Sequence, residues 1–372
     1  MEMAREDERK TALVTAIGSF SAREVIAGCR REGMRVIGCD IYPAEWVADS
    51  ADVDVCYRAP YATDEMAYRA FLMEVCEKEN VDFVLPLTDV EVDVLQKWRV
   101  ECADETNKVD EIEKSGVTEK FAPLHAVLCI SGIETIRLCR DKESMQNFLS
   151  ECGLCRTIPG RELDEVVKTE SGSAYENLSY PLIIKPVDGR SSQGLSRVKN
   201  ARQMAYVVQE CVEHGGRFLV QPMIDGSVVT VDVVRDPKSG ITAAVARREL
   251  LRTLNGAGTS VYVYHNEALE RECREIAEAL DICGCVNFEF IDTQSDGVHR
   301  EKNAGDETGP SRDRYCFLEC NPRFSGGVAF SCMAGYDMIR AHLACFMGKT
   351  PEMPVVVENQ YIARRYTEYR MK

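Results

Sequence analysis

The chain has 372 residues, which is long enough for two or three packed units with substantial cores. With 45% hydrophobic and 28% charged residues it has the composition of an ordinary globular protein, and no apolar run is long enough to span a bilayer. The formal net charge of −16 disfavours nucleic acid as a partner, because such binding depends on neutralising phosphates. We therefore expect no nucleic-acid and no membrane partner, whereas a small anion in a local basic pocket remains compatible with this charge.

The N-terminal residues 1–10 are charged and lack the apolar segment of a signal peptide, which favours a cytoplasmic location. The 17 cysteines form no recognisable framework, and Cys152 and Cys155 make the only Cys-x-x-Cys pair. A structural zinc site would need two matched pairs of ligands. We therefore expect free and mostly buried thiols.

The first 120 residues alternate between predicted strands and helices, a pattern that indicates a parallel α/β sheet. Strands are predicted over residues 11–17, 35–39 and 82–87, and helices over 22–32, 64–79 and part of 99–120. Gly18 precedes the first helix and Asp40 follows the second strand, as in part of a dinucleotide-binding fingerprint. One glycine stands where three are needed, so we interpret this unit as a Rossmann-like scaffold, with an NAD site as the disfavoured alternative.

Beyond residue 130, helices and strands mix without this strict alternation. Helices are predicted over residues 141–151, 201–213 and 268–280, and strands over 180–185, 195–198, 218–221, 228–235, 242–247, 286–291 and 315–318. Residues 293–314 are polar and highly charged. We expect an exposed loop there, with a partner-binding or substrate-binding element as the alternative.

A short stretch near the C-terminal end carries residues suited to a metal ion and an anion. Glu319 and Asn321 alternate along a predicted strand, so both side chains face the same side, and both offer the oxygen ligands that Mg²⁺ prefers. Arg323 follows them as a planar cation suited to a phosphate or a carboxylate. Gly326 and Gly327 come next, and we expect them to let the backbone pass close to a ligand.

Three further features are compatible with this stretch. Lys185 stands at the entrance of a Gly/Ser loop over residues 188–194, whose backbone N–H groups could hold phosphates. Lys142 begins a predicted helix, and Glu289 lies on a strand that could neighbour the strand of Glu319. Lysines, magnesium ligands and a Gly/Ser loop together predict phosphoryl chemistry on a nucleotide.

Taken in order, these motifs over residues 123–345 resemble the ATP-grasp superfamily, and residues 11–120 resemble the domain that precedes it in the carbamoyl phosphate synthetase large subunit and in related carboxylate–amine ligases. The motifs that carry the resemblance are Asp141-Lys142, the 180–186 strand with Gly189 and Gly194, the 220–226 hinge, Asn287–Phe290 and Glu319–Arg323. The implied fold is α/β, with a Rossmann-like parallel-sheet domain over residues 1–122 followed by a two-lobed, α+β ATP-grasp fold over 123–372. Its lid would span about 155–222, and its core about 123–154 and 223–372.

The resemblance implies an enzyme that uses ATP and Mg²⁺, with Mn²⁺ as an alternative, to join a small-molecule carboxylate to an amine. It would activate the carboxylate as an acyl-phosphate and release ADP and phosphate, and a homodimer is compatible with it. The implied ATP-binding residues are Lys142, Lys185, Gly189, Ser191, Ser192, Gly194, Gln221, Met223 and Ile224. The implied metal ligands are Glu289, Glu319 and Asn321. Arg323 would hold the transferred phosphoryl group or the substrate carboxylate.

One position departs from the pattern of the family. Many relatives carry a glutamate two residues after the hinge glycine, where it contacts the ribose hydroxyls, and here that position is Val228. Nearby, Arg247, Arg248 and Arg252 follow a strand close to the expected site. We take Arg248 as the candidate that pairs with the acyl-phosphate or the acceptor carboxylate, with a solvated strand end as the alternative.

Two other functional classes stay open on the sequence. The first is a component like carbamoyl phosphate synthetase that phosphorylates bicarbonate or carbamate, although one ATP-grasp unit is present here and that large subunit carries two. The second is a non-catalytic, nucleotide-binding regulatory protein, for which Val228 is the main support. Fold alone does not fix function, so the identity of the substrates is not readable from these motifs.

Overall fold

The computed structural model describes residues 9–106, 120–169, 172–189, 193–253, 257–294 and 314–371. The strands of these residues are β1 Thr11–Val14, β2 Arg35–Asp40, β3 Val55–Arg58, β4 Phe83–Leu85, β5 Val127–Leu128, β6 Arg161–Glu162, β7 Leu182–Pro186, β8 Ser196–Val198, β9 Phe218–Pro222, β10 Ser227–Arg235, β11 Thr242–Arg252, β12 Gly258–Tyr264, β13 Gly284–Asp292, β14 Tyr315–Asn321 and β15 Gln360–Ala363. The α-helices are α1 Ala22–Arg31, α2 Glu65–Glu79, α3 Asp89–Thr106, α4 Ile133–Arg140, α5 Lys142–Cys152, α6 Leu163–Thr169, α7 Ala201–His214, α8 Glu267–Ala279, α9 Val328–Met333 and α10 Met338–Phe346.

The N-terminal part forms a parallel sheet with the strand order β3-β2-β1-β4-β5. Its central strands are buried and apolar, as parallel strands covered on both faces must be. Helix α2 has the expected boundaries, because the Asp64 side chain accepts from Ala67 N at its start and Asn80 ends it in a left-handed conformation. Helix α3 begins at Asp89, ten residues before the segment 99–120 in which a helix was predicted. Since parallel strands end at the same edge, the segments after β1 and β4 emerge side by side.

A six-stranded antiparallel sheet follows the order β14-β13-β10-β11-β12-β15. One face of it is apolar and packs against α8, with Val231, Phe288 and Leu269 all fully buried. The opposite face carries polar side chains, because strand residues alternate between faces. The register places Glu289 opposite Glu319 and Asn287 opposite Asn321, so two carboxylates and two amides cluster on this polar face.

A smaller antiparallel sheet with the order β6-β9-β7-β8 makes up the third layer. Helices α6 and α7 supply its core, in which Val166, Ile184, Val198 and Met204 are fully buried. All four strands fall within residues 161–222, the region expected to form the lid. The domain boundaries themselves remain a prediction.

The parallel sheet and the six-stranded sheet share a hydrophobic core. One cluster of buried residues contains Val14 and Ile26 from the N-terminal part and Val245 and Ile339 from the C-terminal part. Helix α1 packs closely on α10 at Gly28, where a Cβ atom would lie 2.3 Å from Ile339 Cγ2. A glycine at this position therefore allows the two helices to approach each other.

The predicted α/β class is confirmed, and the differences are local. Strand β11 continues to Arg252, five residues beyond its predicted end, and β12 was not predicted. The pairing of β11 with β12 shifts register after Glu249, and such a bulge breaks the alternation by which a strand is recognised. Four further strands and three helices were also not predicted, namely β3, β5, β6, β15, α6, α9 and α10.

The cysteines behave as expected, since all 17 are free and Cys152 is the one that the structure classes as exposed. Among the residues that the structure describes, no helix is both long and apolar enough to cross a membrane. Most of the 293–314 segment lies outside the described residues, so the expectation for it remains a prediction.

Candidate active site

A cavity of about 770 Å³ lies where the three sheets meet. Ten of the residues expected at the site line it, namely Lys142, Lys185, Gly189, Gln221, Met223, Ile224, Glu289, Glu319, Asn321 and Arg323. Gly194 stands next to this lining, between Gln193 and Leu195, which belong to it. Ser191 and Ser192 lie outside the described residues.

The carboxylates of Glu289 and Glu319 lie at one side of the cavity on paired strands. Beside them, Asn321 Nδ2 donates to Asn287 Oδ1 at 3.3 Å. Within the described part of the chain, no three His, Cys, Asp or Glu side chains form a metal-binding group. Two carboxylates with neighbouring amide oxygens nevertheless suit Mg²⁺, which usually takes one or two carboxylates and completes its shell with water and substrate phosphates.

The electrostatics of the Glu289–Glu319 pair also favour a bound cation. Burial and the neighbouring Glu319 raise the pKa of Glu289 to about 7. Partial compensation comes from Lys142, whose Nζ lies 3.8 Å from Glu319 Oε2, and from Arg252, whose Nη2 lies 3.9 Å from Glu289 Oε2. Two like charges held together in a partly buried site are costly, and a divalent ion would relieve that repulsion.

Two lysines approach the cavity from separate elements. Lys142 is the first residue of α5, where the Asp141 side chain caps the helix, and its Nζ donates to the Gly189 carbonyl. Lys185 lies on β7, and burial lowers its pKa to about 8, an effect that Glu319 opposes. Both ammonium groups are largely buried, and buried cations of this kind suit an anionic ligand such as a phosphate chain.

The segment that joins the small sheet to the six-stranded sheet forms another wall. Met223 and Ile224 line the cavity, and the Met223 N–H donates to the Pro181 carbonyl at 3.0 Å. The Gln221 side chain is buried and donates to the Ile158 carbonyl at 2.7 Å, so it fixes the wall. Val228 also lines the cavity, where it pairs with Ile291, and an apolar surface therefore stands where relatives carry a glutamate.

Arg323 lines the cavity but is held by a partner from the N-terminal part. Its Nε and Nη2 donate to the two carboxylate oxygens of Asp89 at 3.0 and 2.9 Å, and its Nη1 donates to the Phe324 carbonyl at 3.1 Å. Burial lowers the pKa of Arg323, but Asp89 and the carboxylates of Glu319 and Glu289 raise it above its usual value. The Arg323 guanidinium therefore remains positively charged, and its orientation is fixed beside the carboxylates of Glu289 and Glu319, the expected metal ligands.

Arg248 does not lie at this cavity, contrary to the sequence-based expectation. Its Nη2 donates to the Asp292 carboxylate at 3.1 Å, on the face of β11 opposite to that of Arg247. The bulge after Glu249 instead turns Arg252 toward the cavity, which it lines. Arg252 is therefore the better placed of these arginines to meet a reacting anion.

Arg247 also lines the cavity and braces its wall. It is almost fully buried, pairs with Asp232 and donates from Nη2 to Ser325 Oγ at 2.9 Å. A Cβ atom at Gly327 would lie 2.8 Å from its Nη2. Gly327 is thus needed for the close approach of this guanidinium, whereas the sequence had suggested the close approach of a ligand.

Sequence reasoning missed the part of the lining that comes from the parallel sheet. These residues follow β1 and β4 and comprise Ser19, Phe20, Ser21, Leu87, Thr88, Asp89 and Val90. Thr88 N donates to Glu91 Oε2 at the start of α3, as in a helix cap. The missed signal was topological, because ligands in parallel α/β sheets bind at the carboxyl ends of the strands.

Comparisons with known proteins agree with this geometry. A family model described as the ATP-grasp domain matches residues 139–327, about half of the chain. A second, described as ATP-grasp in the biosynthetic pathway with Ter operon, matches residues 309–369. The fold and the site therefore define a two-sheet cleft with a preceding parallel-sheet unit, and the chain belongs to the ATP-grasp family.

The curated relatives are distant. The carbamoyl phosphate synthase large chain of Kocuria rhizophila is 21% identical over 337 residues, which cover 89% of this chain and 28% of that protein. The formate-dependent phosphoribosylglycinamide formyltransferase of Janthinobacterium is 27% identical over 229 residues, covering 60% of this chain and 46% of that protein. The chain thus spans less than a third of the length of the synthase large chains that it matches.

Solved structures share the fold at low sequence identity. A biotin carboxylase from Campylobacter jejuni superposes with a TM-score of 0.66 at 17% identity, covering 94% of this chain and 74% of that one. An L-amino acid ligase from Bacillus licheniformis superposes with a TM-score of 0.63 at 15% identity, covering 94% of this chain and 76% of that one. At these identities the likeness establishes the fold alone.

Proposed function

We propose that the protein is an ATP- and Mg²⁺-dependent ligase that activates a carboxylate as an acyl-phosphate, joins it to an amine and releases ADP and phosphate. The observation that carries the proposal is the convergence of Lys142, Lys185, Glu289, Glu319 and Arg323 on one cavity of about 770 Å³. Names of structural neighbours, such as the L-amino acid ligase, support the ligase class. They leave the identity of this protein's substrates open.

In this proposal the hinge segment at Met223 and Ile224 would hold the adenine, and Lys142 and Lys185 would hold the phosphates. Glu289, Glu319 and Asn321 would hold Mg²⁺, which in such a site neutralises phosphate charge and orients the phosphates. An oxygen of the substrate carboxylate attacks the γ-phosphorus, and the bond from that phosphorus to the β,γ-bridging oxygen breaks. ADP leaves with the electron pair, and Arg252 and Arg323 stabilise the charge on the transferred group.

The second step needs no further cofactor. The amine nitrogen attacks the carbonyl carbon of the acyl-phosphate, the carbon–oxygen bond to phosphate breaks, and phosphate leaves with that electron pair while the nitrogen loses a proton. Positioning does most of this work, because a held acyl-phosphate reacts as if in an intramolecular reaction. Water must be kept out meanwhile, and the small sheet that carries Lys185 is the element suited to cover the site.

The proposal is tested by incubating the protein with ATP, Mg²⁺ and a panel of carboxylates and amines. We expect substrate-stimulated release of ADP and phosphate in equal amounts, lost in Glu319→Ala because the metal site is broken. A matched control is Glu267→Ala, at an exposed glutamate that begins α8. Release of AMP and pyrophosphate, or wild-type turnover by Glu319→Ala with an intact fold, would contradict the proposal.

A second candidate is the phosphorylation of bicarbonate or carbamate. It is supported by the curated relatives, several of which are carbamoyl phosphate synthase large chains. ATP cleavage that depends on bicarbonate and needs no other carboxylate would favour this candidate. Nucleotide binding without any stimulated cleavage would favour a regulatory, non-catalytic role instead.

A further inference from the structure

We propose that Asp89, from the N-terminal parallel-sheet unit, is a positioning residue that orients Arg323 toward the reacting anion of the site. The inference rests on the proposed ligase function and adds a residue to it that the family motifs do not contain. Asp89 is the first residue of α3, whereas Arg323 follows β14, and 234 residues separate them in the chain. Both side chains line the same cavity.

The contact between Asp89 and Arg323 is bidentate and largely buried. Both oxygens of Asp89 accept from Arg323, at 3.0 Å from Nε and 2.9 Å from Nη2, and the two side chains are only 4% and 18% exposed. Such a bidentate pair fixes the plane of the guanidinium as well as its place. The Nη1 donates to the Phe324 carbonyl at 3.1 Å, which removes the remaining rotational freedom.

These contacts determine which donors remain for a ligand. A guanidinium carries five N–H groups, one on Nε and two on each Nη. The contacts with Asp89 and Phe324 use one on Nε, one on Nη2 and one on Nη1. Among the residues that the structure describes, these contacts leave one N–H on each Nη, and two such donors can take two oxygens of a phosphate or a carboxylate.

The same helix offers a matched comparison. Asp93 lies one turn further along α3 and holds Arg140 in the same manner, with Nε at 2.6 Å from Oδ1 and Nη2 at 3.0 Å from Oδ2. This second pair lines a separate groove and not the main cavity. Both aspartates therefore connect α3 to the C-terminal part. Arg140 also donates from Nη2 to the Asp188 carbonyl at 3.2 Å, but of the two arginines Arg323 is the one that lines the main cavity.

The first test compares Asp89→Asn with Asp93→Asn. We expect Asp89→Asn to lower kcat for ADP formation on the order of 100-fold, because a small misplacement of a positioning group has effects of that size, while KM for ATP changes little. Asp93→Asn, which breaks an equivalent pair outside the cavity, should stay within about threefold of the wild type in kcat. Equal kcat values for the two variants would overturn the proposal.

A binding measurement separates this inference from the proposed function. In the presence of ADP and Mg²⁺, inorganic phosphate serves as a probe for the anion that Arg323 holds. We expect Asp89→Asn to weaken phosphate binding at least about tenfold while ADP binding is retained, since one good charge-assisted contact is lost. If the wild type shows no ligase turnover, the ligase proposal fails, and this measurement still decides the role of Asp89; unchanged phosphate affinity would overturn it.

The Asp89→Asn variant leaves the buried guanidinium of Arg323 without its carboxylate and could fail to fold for that reason. A double-mutant cycle covers this case. Asp89→Asn combined with Arg323→Gln removes both charges, which is tolerated better than removing one. If Asp89 acts through Arg323, the double variant should bind phosphate as Arg323→Gln alone does. A further loss of about tenfold in the double variant would show that Asp89 acts independently, and would overturn the proposal.

Discussion

The polar side chains of the site are held by partners that come from distant parts of the chain. Lys142 donates to Gly189, Gln221 to the Ile158 carbonyl, and Arg323 to Asp89. Each of these contacts fixes a side chain before any ligand arrives. Such pre-arranged groups cost no reorganisation when charge develops in a reaction, which is the main route by which phosphoryl-transfer sites act.

One buried residue behind the site predicts a pH dependence of stability. His342 lies between the rings of Phe324 and Phe346, and its Nδ1 accepts from Cys285 N at 2.8 Å. Burial lowers the pKa of His342 to about 3, from about 6.5 when exposed. Between pH 6.5 and pH 3 the unfolded chain therefore binds the extra proton, and the free energy of unfolding falls as the pH falls through this window.

We expect His342→Asn to reduce this dependence, because the asparagine does not titrate and its oxygen can still accept from Cys285 N. The contribution of one such proton is at most about 1.4 kcal/mol per pH unit. The measurement is the free energy of unfolding in denaturant from pH 7 to pH 4, with His125→Asn, at an exposed histidine, as the control. An equal slope for wild type and His342→Asn would show that burial of this ring does not govern its protonation.

Among the elements, the hinge between β9 and β10 depends most on a single glycine. Gly226 has a φ of +156°, and a Cβ atom there would lie 2.4 Å from the Asp292 carbonyl oxygen. We expect Gly226→Ala to lower the free energy of unfolding by about 1–3 kcal/mol, because the backbone of β13 cannot yield easily. ATP affinity should fall as well, since Met223 and Ile224 precede this turn.

Chemical denaturation and ATP titration measure both effects. The matched control is Gly132→Ala, since Gly132 has a φ of −61° and its nearest contact for a Cβ atom is Thr135 Oγ1 at 3.8 Å. If Gly226→Ala were as stable as Gly132→Ala and bound ATP equally well, the close approach at this hinge would not matter for function.

How well each helix or strand could be predicted depends on how far the local sequence pattern determines its position. Glu289 was expected on a strand that could neighbour the strand of Glu319, and the register of β13 with β14 places the two residues opposite each other. The end of strand β11 could not be predicted, because its bulge removes the alternation of apolar and polar residues near Arg252, where this side chain turns toward the cavity. Arg248 lies away from the cavity for a different reason, because alternation along β11 places it on the face opposite to that of Arg247, where it pairs with Asp292.

The contribution of the N-terminal unit to the cavity could not be predicted from local pattern at all. In the sequence, Asp89 has the features of an ordinary first residue of a helix, and its partner Arg323 lies 234 residues away. Contacts of this kind depend on how separate units dock, which single-sequence periodicity does not encode. The order of the motifs sufficed to predict that the two lysines and the carboxylates of Glu289 and Glu319 lie at one cavity. The partners that orient the side chains of this cavity are apparent only from the three-dimensional structure.

At the scale of the whole molecule, the shared core predicts that the N-terminal and C-terminal units unfold together. Gly28→Ala should test this, because helix propensity alone would stabilise α1 by about 1 kcal/mol, whereas the added Cβ atom meets Ile339 at 2.3 Å. We expect a net loss of stability with one cooperative transition.

The two tryptophans make this measurement selective. Trp46 and Trp98 both belong to the N-terminal unit, so their fluorescence reports its unfolding, while far-UV circular dichroism reports the entire chain. Coincident transitions for wild type and for Gly28→Ala are expected. Separate transitions, or a more stable Gly28→Ala variant, would indicate two units that fold independently.

The arrangement of the cavity lining has a consequence for protein engineering. The segments 19–21 and 87–90 supply part of the lining, and the hinge segment with the carboxylates of Glu289 and Glu319 supplies another part. We expect selectivity for the acceptor and affinity for ATP to be encoded in these different stretches of sequence. A directed-evolution library confined to the two short N-terminal segments, with Asp89 held constant, should change the choice of substrate while the nucleotide end of the cavity keeps its composition.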